Sequence, residues 1–263
     1  MTSASPPLPA PDGSRAPARL SRLEFGLLLA VALLVAAAMA LPPLTQASAY
    51  HHFADARPLL GLPNALDVMS NVGFLALGVH GLWMVLSGRL VTCSASLKAG
   101  VIVTFIGFIA TACGSSYYHL APDDARLVVD RMGMVVAFAG VLGIAAAQRV
   151  SNRAGAALLV AMLVLGPCSV LAWAALGTLT PYAVFQFGGI ALLLASLAAP
   201  ARGPGPRWSW LVTAYAVAKL LESGDALVFE LTGHVVSGHT LKHLAAALPV
   251  LAVTTALSVR RRQ

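Results

Sequence analysis

The chain has 263 residues, of which 58% are hydrophobic and only 10% charged, against about a quarter charged in a soluble globular domain. The apolar residues come in runs of roughly 18 to 24, long enough to cross a bilayer core, which excludes a soluble enzyme and argues against the short alternating segments of a barrel. The formal net charge of +7 does not point to nucleic acid, because the basic residues are spread thinly over many connections, as topology signals are.

Residues 1–21, rich in Pro, Ala and Ser, form a basic tail expected to be disordered. Residues 22–42 hold a first apolar run, Phe25 to Leu41. It reads as a membrane helix or as a signal peptide ending at Ala47-Ser48-Ala49, and its length favours the helix. A polar connection, 43–63, contains Tyr50-His51-His52-Phe53-Ala54-Asp55-Ala56-Arg57. Spans are then expected at about 64–87, 99–119, 126–147, 154–175, 181–199, 208–230 and 239–258, separated by Gly, Pro and Asn breakers. The fold class is therefore all-α, a polytopic bundle of seven helices over 64–263 preceded by one further apolar segment. Cys93, Cys113 and Cys168 make no metal or redox motif and are expected to be packing residues.

Charge placement tests this count. Of 17 Lys and Arg, Lys219 and Lys242 fall inside spans. Assigning alternate connections to one side leaves Arg57, Arg126 and Arg131 together and the other twelve opposite, Arg15 and Arg260–Arg262 among them. That asymmetry predicts a cytoplasmic C-terminus. His51, His52, His119, His234, His239 and His243 then fall near the non-cytoplasmic face, along with Ser115, Asp130, Asp67, Asn71, Asp225 and Glu230. Buried polar groups gathered at one membrane depth point to function.

His239 and His243 stand four apart, so both rings share a helix face, about 6 Å from one another. His119 ends another span at the same depth, Ser115 lies one turn before it, and Asp130 opens the following helix. Three neutral imidazoles can hold Zn²⁺ and leave a fourth position for water, with Asp130 as proton acceptor and Ser115 near the open side. From spacing alone, the paired histidines serve equally well as a polar helix–helix contact. Asp130 can instead pair with Arg126 or Arg131, and Ser115 and Ser116 can bond backbone carbonyls. Lys219, Glu222 and Asp225 recur at spacing three, and Lys219–Glu222 reads as an intramembrane ion pair.

The pattern Gly114-Ser115-x-x-Tyr118-His119, Asp130 eleven residues on, and His239-x-x-x-His243 in the last helix resembles the alkaline ceramidase family. That family belongs to a superfamily of seven-helix membrane hydrolases that also holds GPI-lipid remodelling enzymes and adiponectin-type receptors. Ser70-Asn71 resembles its opening element. The resemblance runs from Tyr50 to the end and implies zinc on His119, His239 and His243, with Ser115 and Asp130 at the catalytic water or oxyanion. The acidic, Trp-containing calcium motif of the animal enzymes is missing. Asp55, Asn64 and Asp67 offer too few carboxylates for calcium, so no calcium site is predicted, and the region looks like a bacterial variant with Asp55 and Arg57 paired at the rim.

The function expected is a zinc-dependent amidase cleaving ceramide-like lipids to fatty acid and sphingoid-type amine in a bacterial inner membrane, its site towards the non-cytoplasmic face. Tyr118, Asn71 and Asp67 are candidates for the substrate pocket, although an interfacial aromatic belt accounts better for Tyr117 and Tyr118. An adiponectin-receptor-like sensor and a glycerolipid ester hydrolase are the competing readings. A retinal Schiff base on Lys242 is disfavoured, since that lysine starts its helix between two histidines.

Overall fold

The computed structural model describes residues 19–90 and 92–258. The expected tail, apart from residues 19–21, and the Arg260–Arg262 run lie outside them. The described chain is helical with no strand, and seven of its helical segments are long and apolar enough to cross a membrane, which makes this an all-α multi-pass membrane protein. In order they are α1 (Arg22–Ala40), α2 and α3 (Ala65–Ser70 and Val72–Leu86, one span bent at Asn71), α4 (Ala95–Leu120), α5 (Asp124–Arg149), α6 (Asn152–Leu176), α7 (Thr180–Leu197) and a last span made of α10 (Gly238–Ala247) and α11 (Pro249–Leu257).

The segment expected as one helix at 208–230 is two, α8 (Trp208–Ser223) and α9 (Asp225–Leu231), meeting at Gly224. The reason lies in α10. Its first residue, Gly238, presses on this junction so closely that a Cβ there would stand 2.3 Å from the Leu221 carbonyl oxygen. The Asp225 carboxylate turns away to accept from His239 N at 2.7 Å and Ala54 N at 2.9 Å.

The centre of the bundle is the α4–α5 pair. Gly100, Gly107 and Gly114 recur every seven residues on α4, and Gly133 and Gly140 do so on α5. A Cβ at Gly107 would meet Ala137 N at 2.2 Å, and one at Gly114 would meet Val129 O at 2.6 Å and Asp130 Cα at 3.1 Å. Small residues let two backbones touch where water offers no hydrophobic drive, and Gly114 does so beside Ser115.

α1 packs on α7, where Leu34 covers Gly188. Its capping box joins Ser21 and Glu24, and Glu24 also takes the Ser151 hydroxyl at 2.6 Å and Arg153 Nη2 at 2.7 Å. Beyond α1 the chain is fastened to the α6–α7 turn: Leu44 N donates to Thr180 Oγ1 at 2.9 Å, and Thr180 Oγ1 to Pro42 O at 2.7 Å. The three cysteines are not buried in the core; each is free and exposed.

Candidate metal centre

His119 closes α4, His239 and His243 occupy one face of α10, and the three meet inside the bundle. Their ring centroids form a near-equilateral triangle with sides of 4.8, 5.1 and 4.9 Å. One nitrogen from each lies within 4.8 Å of the others, and all three residues are buried. His119 Nε2 and His239 Nε2 are 3.2 Å apart. Among the described residues this is the one group of three or more His, Cys, Asp or Glu side chains placed to hold a metal ion.

The surroundings orient these rings. Ser70 Oγ donates to Asp67 O at 2.9 Å and lies 2.8 Å from His243 Nδ1. A hydroxyl has one proton, so Ser70 accepts from His243 Nδ1–H, which leaves the Nε2 lone pair facing the centre. His243 Nε2 is 3.5 Å from Ser115 Oγ. Thr240 Oγ1 donates to Asp67 Oδ1 at 2.6 Å, tying α10 to α2. Asn64 Nδ2 donates to His119 O at 2.8 Å. The Phe53 ring lies over His119 and His239 with centroids 4.6 and 4.5 Å away, shielding that side from water.

Ser115, Asp130 and His243 open onto one cavity, which continues along α4, α5, α8, α10 and α11, with Gln186 and Ile190 of α7 alongside. Its walls run from Ser115 to Thr104 on α4, Asp130 to Val141 on α5, Glu222 to Leu211 on α8, and Lys242 to Val253 on α10 and α11. Each stretch is twelve residues long, about 16 Å from first to last at the helical rise. The histidine end is polar, and the far end is largely apolar.

Asp130 is buried, and its two competing partners are engaged elsewhere. Arg126 pairs with Asp123 at 2.6 Å. Arg131 donates to Gln46 at 2.7 Å and lies over Trp173 and Tyr182. The proposed pocket residues Tyr118, Asn71 and Asp67 do not line this cavity. Tyr118 is buried with its hydroxyl 3.0 Å from His51 Nδ1, and His51 Nε2 reaches Asp124 at 3.1 Å, so Tyr118 braces the start of α5. Asn71 Nδ2 donates back to Asp67 O at 2.9 Å within the α2–α3 bend. Tyr117 is exposed and lies against Arg126.

Asp55 and Arg57 do pair, through two hydrogen bonds of 2.7 Å, and Arg57 also donates to Val235 O at 3.0 Å. The guanidinium holds the Asp55 carboxyl below the usual carboxylate range. Lys219 and Glu222 form the expected ion pair, and Lys242 joins it, 3.3 Å from Glu222 Oε1 and 3.0 Å from His239 Nε2.

Spacing revealed the histidines but missed Thr240 and Phe53, whose partners are distant in the chain, and Ser70 stood out only through the resemblance. Lys242 was visible as a helical neighbour: three residues after His239, it shares that face.

Comparison with protein-family models and with curated proteins gives no match.

Proposed function

We propose that the protein is a zinc-dependent intramembrane lipid hydrolase of the ceramidase type, cleaving the N-acyl amide of ceramide-like lipids. The observation that carries this reading is a three-histidine triangle whose His243 opens, with Ser115 and Asp130, onto a largely apolar slot. The donor set fits the metal. Two nitrogens 3.2 Å apart match the edge of a tetrahedron with bonds of about 2.0–2.1 Å, and three neutral imidazoles with an open position are a catalytic set. His119, His239 and His243 would hold the ion, which when bound lowers the pKa of water and polarises a carbonyl.

The residues divide the remaining work. The slot seats an acyl chain with its carbonyl at the histidine end. Asp130 takes a proton from the attacking water and passes it to the amide nitrogen as the C–N bond breaks, giving fatty acid and free amine. Ser115 donates to the acyl oxygen as charge gathers there. Phe53 keeps bulk water off two of the rings. Lipid enters sideways, between α7 and α8. α7 packs on α1, α5 and α6, whereas α8 packs on α10 and α11, and Gln186 Nε2 donates to Tyr215 Oη at 3.2 Å across the seam.

Charge placement supports a site towards the non-cytoplasmic face of the membrane. Arg57, Arg126 and Arg131 stand at the histidine end, while Arg153, Arg149 and Arg202 gather with the start of α1 and the α7–α8 connection. The test is hydrolysis by purified protein in nanodiscs, offered N-acyl sphingoid lipids and glycerolipid esters in parallel. Amide cleavage supports the ceramidase reading. Cleavage of esters alone makes it a glycerolipid hydrolase, and cleavage of neither leaves the sensor reading.

A further inference from the structure

Lys242 lies beside the triangle and inside the slot. Its ammonium is 3.0 Å from His239 Nε2 and 3.3 Å from Glu222 Oε1, and Glu222 is shared with Lys219. Lys242 is largely buried, and it lines the cavity with Ser115, Asp130 and His243. An ammonium kept this deep among apolar helices is costly unless its protons find acceptors. Glu222 takes one.

A second proton faces His239 Nε2, but that nitrogen has a single lone pair. A lone pair given to a metal ion cannot also accept from Lys242. The inward proton then points to the polar end of the slot, where the Asp130 carboxylate and a bound ligand oxygen are the acceptors open to it, the far walls being largely apolar.

We infer that Lys242, held by Glu222, forms an acyl-oxygen subsite: it donates to the carbonyl oxygen of a bound long-chain acyl group and to the carboxylate of the fatty acid released. The inference rests on the hydrolase reading for its substrate and on geometry for its place. Lys242 is thus a catalytic residue beside Ser115, the two donors approaching one oxygen from α10 and α4. Glu222 is a positioning residue, and Lys219 keeps Glu222 paired when Lys242 is replaced.

The experiment uses the full chain in nanodiscs, with palmitic acid and hexadecanol as probes of equal length. Three quantities are read for the native protein, Lys242→Met and Lys242→Arg: zinc per chain, Kd for each probe, and kcat and KM on an N-acyl sphingoid lipid. In Lys242→Met the palmitate Kd rises about tenfold, the loss of one charge-assisted hydrogen bond, while the hexadecanol Kd and zinc content hold. Hydrolysis then falls in kcat with little change in KM, because the contact tightens as charge develops. Lys242→Arg restores palmitate binding to within about threefold, since it keeps a cationic donor.

Unchanged palmitate affinity in Lys242→Met overturns the subsite. So does loss of zinc in that variant, which would make Lys242 a prop for the metal centre. A native protein that binds palmitate through Lys242 yet cleaves no lipid keeps the subsite and overturns the hydrolase reading instead.

Discussion

Ser70 and His243 stand 173 positions apart in the chain, yet Ser70 Oγ lies 2.8 Å from His243 Nδ1. Because Ser70 spends its own proton on Asp67 O, it fixes which nitrogen of His243 faces the centre. Replacing Ser70 by Ala removes that control without touching a ligand. Zinc affinity of Ser70→Ala, measured by chelator competition, is expected to fall about 10- to 100-fold. Ser70→Thr keeps the hydroxyl and holds most of the affinity.

Asp225 acts on the same helix from the other end. Its two oxygens receive His239 N and Ala54 N, so one side chain joins the start of α10 to the segment carrying Phe53. Asp225→Ala strands both donors. A loss of about 3–6 kcal/mol is expected from two charge-assisted bonds, read as a lower unfolding temperature in detergent, with zinc content falling as α10 loosens.

Gly114 sets the approach of α4 to α5 at the site, with Val129 O only 2.6 Å from where a Cβ would stand. Gly114→Val must push the helices apart at Ser115 and Asp130. Overpacking of this kind costs about 1–3 kcal/mol. Hydrolysis is expected to drop further than stability, whereas Gly26→Val on α1, where a Cβ meets nothing within 4 Å, leaves both unchanged.

The Asp55–Arg57 pair predicts a pH dependence. The folded-state pKa of Asp55 is depressed, so its contribution is complete above the unfolded value of about 3.9 and is lost as pH falls through the lower folded value. The stability gap between native protein and Asp55→Asn should stay constant from about pH 8 to 5 and shrink below about pH 4. Thermal unfolding across that range checks it.

The sequence made some of this legible and hid the rest for identifiable reasons. Hydropathy located the spans, because length and apolarity are local properties. The histidine pair was legible because a spacing of four is a face of a helix. Hydropathy did not show the break at Gly224, since the cause is Gly238 pressing on Leu221 from another helix. Tyr118 sits in the motif with His119, but its partner is His51, 67 positions away, and no spacing rule links them. The choice between helix and signal peptide for α1 turns on contacts of the same kind. Glu24 with Ser151 and Arg153, and Thr180 with Pro42, favour a resident helix. N-terminal sequencing of the membrane-bound protein is expected to find α1 attached.

On the proposed reading, three histidines hold the zinc that hydrolyses a lipid amide. Zinc per chain and fatty acid released from ceramide, measured side by side in native protein and His243→Ala, decide whether they do. About one zinc per chain with steady release is expected in the native protein, and loss of both in the variant. Full ceramide hydrolysis by His243→Ala would contradict that reading.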